Sequence, residues 1–184
     1  MLEHLKTFYT IAKEQGADII ELIFPKDIIF DIRTTYKCIT CEKYGKKPTC
    51  PPFIPSTEYF ETLINKYKYG LIIGKKYNYK TEKNYNNIRK ESSSRIQKIL
   101  LSLEQHAFSR NYYWAISFTG GSCKICEQCS ANKICKNPSQ GRIPLEGTGV
   151  DVIQTCKNKG INITPFPLNM NHGIMYRIGL FLLE

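Results

Sequence analysis

Residues 71–77 (LIIGKKY), 81–107 (TEKNYNNIRKESSSRIQKILLSLEQHA) and 112–118 (YYWAISF) decide how this chain is read. The outer two are short runs of apolar, β-branched and aromatic residues, of the length and composition of strands. Between them Ile88, Ile96, Ile99, Leu100 and Leu103 recur at helical spacing in an otherwise polar segment, the pattern of a long surface helix. Strand, helix and strand in succession point to an α/β fold.

The flanking sequence extends that pattern. Leu2, Leu5, Phe8, Ile11 and Ala12 predict an amphipathic helix over residues 2–15, ended by Gly16. ADIIELIF (17–24) and DIIFDIR (27–33), parted by Pro25 and Lys26, predict a strand pair or hairpin. Ser56 and Thr57 are candidate caps for a helix reaching about residue 68. A short helix over DVIQTCKNK begins near Gly149, with Asp151 as its cap or first-turn residue, and stops at Gly160. GIMYRIGLFLLE (173–184) is the closing strand. The expected architecture is one α/β domain over residues 1–184. It has a mixed β-sheet, flanking helices and two cysteine-rich metal-binding loops, at about 36–55 and 120–146.

Composition sets the bounds. A chain of 184 residues with 42% apolar and 23% charged residues can bury a core, which excludes a disordered or fibrous reading. No run approaches the roughly 18 apolar residues of a membrane helix. The first residues lack the apolar segment of a signal peptide, so a cytoplasmic location is expected.

The eight cysteines are grouped: Cys38, Cys41 and Cys50; then Cys123, Cys126, Cys129 and Cys135; Cys156 stands alone. Without an export signal, Cys-x-x-Cys pairs favour metal ligation over a disulfide framework. The second group reads Cys-x-x-Cys-x-x-Cys-x5-Cys. Cysteines at three-residue steps reach successive irons of a cubane, as in bacterial ferredoxins, so a [4Fe–4S] cluster is the leading cofactor and zinc the alternative. The paired Gly120 and Gly121 allow a sharp entry to the loop. The five-residue gap to Cys135 departs from the ferredoxin run, and Cys135 can serve the same cluster.

Cys38, Cys41 and Cys50 are three thiolates, one short of a closed site. Either a fourth ligand comes from afar, with Cys156 and His172 as candidates although His172 reads first as a plain turn residue, or one metal corner stays open to a substrate or exogenous sulfur. The rival reading is a zinc knuckle that staples a loop. Cys156, on a predicted helix, reads as a small buried hydrophobe. His4 and His106 carry no pattern.

Both motifs, in this order, resemble a family of archaeal and anaerobic bacterial proteins known only as predicted metal-binding proteins. The matching residues are Cys38, Cys41, Tyr44-Gly45-Lys46 and Cys50-Pro51-Pro52, then the Cys123 to Cys135 run. The likeness continues through Pro138, Arg142, Pro144, Glu146 and Gly149-Val150-Asp151-Val152. Thr40 stands where the family usually has glycine. The resemblance implies metal, iron–sulfur foremost, and an oxygen-poor cytoplasm. It supplies no reaction, and in that family Cys156 is not part of the pattern.

Lysine and arginine outnumber aspartate and glutamate 26 to 16, for a net charge of +10. Arg33, Lys37, Lys43, Lys46 and Lys47 flank the first group; Lys124, Lys133, Lys136 and Arg142 flank the second. Such charge suits anionic metal–thiolate centres and an acidic redox partner protein. Tyr77, Tyr79, Tyr85, Tyr112, Tyr113 and Trp114 fall mostly at strand positions, and no helix-turn-helix or RNA-binding signature accompanies them, which argues against nucleic acid. No phosphate loop, dinucleotide fingerprint or hydrolase triad is present. The sequence thus expects an iron–sulfur protein with a redox or electron-transfer role and an open-iron site for sulfur or small-substrate chemistry. The alternative is a zinc-stabilised module that binds nucleic acid or protein.

Overall fold

Leu71, Ile72 and Ile73 are all buried, and successive strand residues point to opposite faces, so this run needs cover on both sides. The computed structural model, which describes residues 2–132, 134–164 and 173–184, shows how that cover is built. Four strands, β1 (Ile19–Ile23), β2 (Tyr69–Tyr79), β3 (Ile116–Phe118) and β4 (Gly173–Leu183), form one sheet in the order β1-β2-β4-β3. Every pairing is antiparallel; Leu71 lies opposite Phe181 and Ile72 opposite Leu180.

One face packs on α1 (Leu2–Glu14) and α4 (Glu82–Phe108). There Phe8, Ile96, Leu100 and Leu103 meet Leu71, Ile73, Phe181 and Leu183. The other face carries α3 (Thr57–Ile64) and α5 (Val152–Asn158), with Phe60, Ile64, Val150 and Cys156 against Ile72, Leu180 and Leu182. Each such buried side chain is worth roughly 1.5–3 kcal/mol relative to exposure. These two layers therefore hold the sheet, and α4 carries Gln97 beside the second cysteine group. Among the described residues no helix is long and apolar enough to cross a membrane.

The α/β, single-sheet architecture is as expected, but the sheet is antiparallel rather than mixed. The predicted hairpin of residues 17–33 does not form. Pro25–Asp27 makes a 3-10 turn in which the Asp27 carboxylate accepts the Phe24 N–H at 3.2 Å, and β1 pairs with β2 instead. The second apolar run contributes only an isolated bridge between Phe30 and Val150 before Asp31 opens α2 (Ile32–Ile39). The strand expected at 112–118 shrinks to its last three residues. The turn at Asn111, whose φ is 67°, and the Tyr112 N–H bond to the Ala107 carbonyl keep Tyr112–Trp114 off the sheet. α3 ends at Ile64 rather than near 68, because turns at Lys66 and Tyr67 lead straight into β2.

Candidate metal centre

The first cysteine group hangs from α2. The Asp31 carboxylate caps that helix, accepting the Arg33 N–H at 2.8 Å and its guanidinium Nε at 3.0 Å. These hydrogen bonds from Arg33 hold the Asp31 carboxyl down to about 2. Cys38 therefore sits in the last helical turn, not in a loop as expected. Beyond the helix the Cys41 N–H returns to the Cys38 carbonyl at 3.1 Å, and the Tyr44 N–H to Cys41 at 3.0 Å. Gly45, at φ +64°, donates its N–H to the Pro51 carbonyl at 3.0 Å and closes the loop. Cys41 is exposed, Cys38 half-buried and Cys50 buried. Burial pushes the Cys50 thiol up to about 11, against the pull of Lys47; burial also raises Cys38, whose Sγ lies 3.8 Å from the Glu146 carbonyl.

The second group fills an excursion between β3 and a 3-10 turn at Leu145–Thr148. Its ends are pinned together: the Thr119 N–H bonds the Ile143 carbonyl at 3.0 Å, and the Leu145 N–H bonds the Thr119 carbonyl at 2.8 Å. At the entry, a Cβ on Gly120 would stand 2.1 Å from the Ile178 carbonyl oxygen, so only glycine lets the chain leave the sheet this closely. Among the described residues of 121–143, none is fully buried. Cys123, Cys126, Cys129 and Cys135 all line one concavity, and Pro48 and Thr49 of the first group close its side.

Several polar groups are directed at these sulfurs. The Asn137 amide donates to Cys126 Sγ at 3.0 Å. Gln97, fully buried on α4, places its Nε2 3.5 Å from Cys123 Sγ and donates to the Gln140 carbonyl at 2.7 Å. The Thr49 hydroxyl is buried at the rim with no partner among the described residues. A Cβ on Gly141 would lie 3.1 Å from Cys135 Sγ. The two cysteine groups abut. The Lys47 ammonium donates to the Cys123 carbonyl, and Cys50 lies within electrostatic reach of Cys38, Cys41 and Cys123.

These residues coincide with the reach of a sequence family. The chain belongs to the family described as Predicted metal-binding protein (DUF2284). The family match spans residues 21–183, and so takes in both cysteine groups. No curated protein and no solved structure matches the chain.

For a member of a metal-binding family, the donor set is apt. All eight thiols are free, and amide and hydroxyl donors suit sulfur anions better than neutral thiols. Among the described residues, no three Cys, His, Asp or Glu side chains are gathered tightly enough to hold one metal ion. The seven clustered thiols share a neighbourhood, and four of them a single concavity, without forming a finished single-ion cage. Cys156 stands apart: it is buried on α5 among Ile23, Ile72 and Leu180, and burial pushes its thiol up to about 12. Asp151 is a helix cap, accepting the Gln154 N–H at 2.9 Å. His106 hydrogen-bonds within α4, to the Ser102 carbonyl at 2.8 Å. His172 and Lys133 lie outside the described residues.

Thr49, Gln97, Asn137 and Gly141 were not singled out from the sequence. Gln97 left a faint signal, a polar residue beside the apolar stripe of Ile96, Ile99 and Leu100, yet fully buried. The cations also gather. Burial, then the charges of Lys47, Lys43, Arg89 and Arg177, hold the Lys124 pKa below the ordinary lysine range.

Proposed function

We propose that this chain is an iron–sulfur protein. Cys123, Cys126, Cys129 and Cys135 hold a [4Fe–4S] cluster, and Cys38, Cys41 and Cys50 hold a second metal centre with one open position. The observation that carries this reading is the arrangement of the four thiols of one Cys-x-x-Cys-x-x-Cys-x5-Cys run around a single concavity. A loop of this length whose described residues carry no helix or strand and no buried side chain lacks a core of its own, and shared metal ligation would give it one.

When bound, such a cluster supplies one-electron redox chemistry. The chain's own residues prepare for it. The Asn137 amide and Gln97 Nε2 offer donors to the sulfurs of Cys126 and Cys123, which favours the more negative, reduced state. Pro48 and Thr49 screen one side from water. The four-cysteine site, fully ligated, serves electron transfer. The three-cysteine site beside it, through Cys50 and Cys123, is where sulfur or small-substrate chemistry would take place. Exposed Lys136 at the rim of the concavity, and exposed Lys37 and Lys46 beside the first cysteine group, suit an acidic redox partner protein.

Anaerobic purification of untagged protein, followed by iron, zinc and acid-labile sulfide analysis, tests the reading. Iron and sulfide in near-equal amounts are expected. Stoichiometric zinc without sulfide would replace it with the zinc-stabilised module.

A further inference from the structure

We propose that Arg89, Lys124 and Arg177, together with Lys43 and Lys47, form a binding site for a small, doubly charged oxyanion beside Cys38, Cys41 and Cys50. Arg177 stands on β4 and is held in place by its own hydrogen bonds. Its Nε donates to the Ser92 hydroxyl at 2.9 Å, and its Nη2 to the Arg89 carbonyl at 3.1 Å. Its Nη1 lies 3.3 Å from where a Cβ of Gly121 would be, under the entry to the second cysteine loop. Two residues on, the Cys123 carbonyl accepts from the Lys47 ammonium, and Lys124 follows directly in sequence. Arg177 and Lys47 thus flank residues 121–124, which include Lys124, and Cys50 is within electrostatic reach of Cys123 in the same segment.

The carboxylates nearby are committed. Glu146 Oε2 accepts the Gly121 N–H at 3.1 Å, although Glu146 is within electrostatic reach of both Arg177 and Cys38. Glu42 pairs with Lys43 at 3.0 Å. Among the described residues, Lys47, Arg89, Lys124 and Arg177 have no ion-pair partner. Lys43, Lys47, Arg89 and Arg177 all lie within electrostatic reach of Lys124 and outnumber Glu42 and Glu146, and a guest that offers only acceptors relieves their mutual repulsion. Guanidinium and ammonium groups match phosphate-like or carboxylate oxygens. Lys47, Lys124 and Arg177 are half-buried, which fits a small anion better than an extended acidic surface.

As an anion site this stands on the cations. As the substrate site of the open centre it rests on the metal reading above. The probe is inorganic phosphate, titrated by calorimetry into anaerobically isolated protein in low-chloride zwitterionic buffer, with the metal content of each preparation assayed. One phosphate per chain is expected. The affinity should fall about tenfold or more in Lys124→Met and in Arg89→Met, and stay unchanged in Lys157→Met, an exposed lysine on α5. Unchanged melting temperatures would show that the variants fold. No saturable binding to metal-loaded wild type, or an equal loss in Lys157→Met, overturns the proposal. Phosphate binding by protein that takes up no metal would support the anion site and overturn the metal centre alone.

Discussion

The Asn137 amide donates a 3.0 Å hydrogen bond to the sulfur of Cys126, across the turn that closes the second cysteine loop. Asn137 is itself held: its carbonyl accepts the N–H groups of Gln140 at 3.1 Å and Gly141 at 2.8 Å. A donor fixed in this way stabilises a sulfur more as negative charge builds on it, and so would favour the reduced state of the proposed cluster.

Asn137→Leu should therefore retain iron and sulfide while its midpoint potential moves negative. A net hydrogen bond of about 0.5–1.5 kcal/mol corresponds to about 20–60 mV for a one-electron couple. Redox titration followed by visible absorbance reads the shift. A potential equal to wild type would show that this contact does not tune the centre.

Cys126→Ser and Cys156→Ser separate the proposed ligand thiol from the packing thiol. Cys126 rims the concavity, whereas Cys156 is buried in the core on α5. The first variant should lose metal and, with it, amide protection across residues 121–143, while β2 and β4 stay protected in hydrogen exchange. The second should keep its metal and lose about 1–3 kcal/mol of stability, because a hydroxyl replaces a thiol in an apolar site. Equal metal loss in both would contradict the ligand assignment.

The elements with strong periodicity were legible in the sequence. α1, α4 and β4 came from the spacing of Phe8, Leu100 and Phe181 and their neighbours, because burial on one or two faces writes itself into the order of residues. DIIFDIR misled because its apolar residues are those of a strand, while Pro25 and the Asp27 and Asp31 caps turn the chain first. At the site, the cysteine spacings announced both groups. Their contact through Lys47, Cys50 and Cys123 was not legible, since nothing local records which loops a sheet brings together. Thr49, Asn137 and Arg177 were missed for the same reason.

Gly120→Ala tests how closely the second loop leaves the sheet. The added Cβ would press on the Ile178 carbonyl, a backbone atom of β4 that cannot swing aside as a side chain would. A loss of about 1–3 kcal/mol in chemical denaturation is expected. Gly141→Ala, whose Cβ would meet Cys135 Sγ at 3.1 Å, should instead lower metal retention and leave the denaturation midpoint of the metal-free protein near wild type. The reverse pattern would mean that the loop entry, and not its exit, shapes the thiol concavity.

The Asp31 cap gives α2, and through it Cys38, a dependence on acid. The carboxyl titrates at about 2 in the fold against an ordinary 3.8, because Arg33 hydrogen-bonds its charged form. The folded value lies below the unfolded one, so the contribution is complete above the unfolded pKa. It fades as pH falls from about 4 to about 2. Asp31→Asn preserves a side-chain oxygen for capping but removes the charge that Arg33 binds. The difference in melting temperature between wild type and this variant should be constant from pH 7 down to about 5, then close toward pH 2. The Arg33 side chain is largely exposed to solvent and that of Asp31 partly so, so added salt should shrink the difference at neutral pH as well. A difference that persisted unchanged to pH 2 would mean that capping geometry, and not the Arg33 ion pair, is what Asp31 contributes to the helix carrying Cys38.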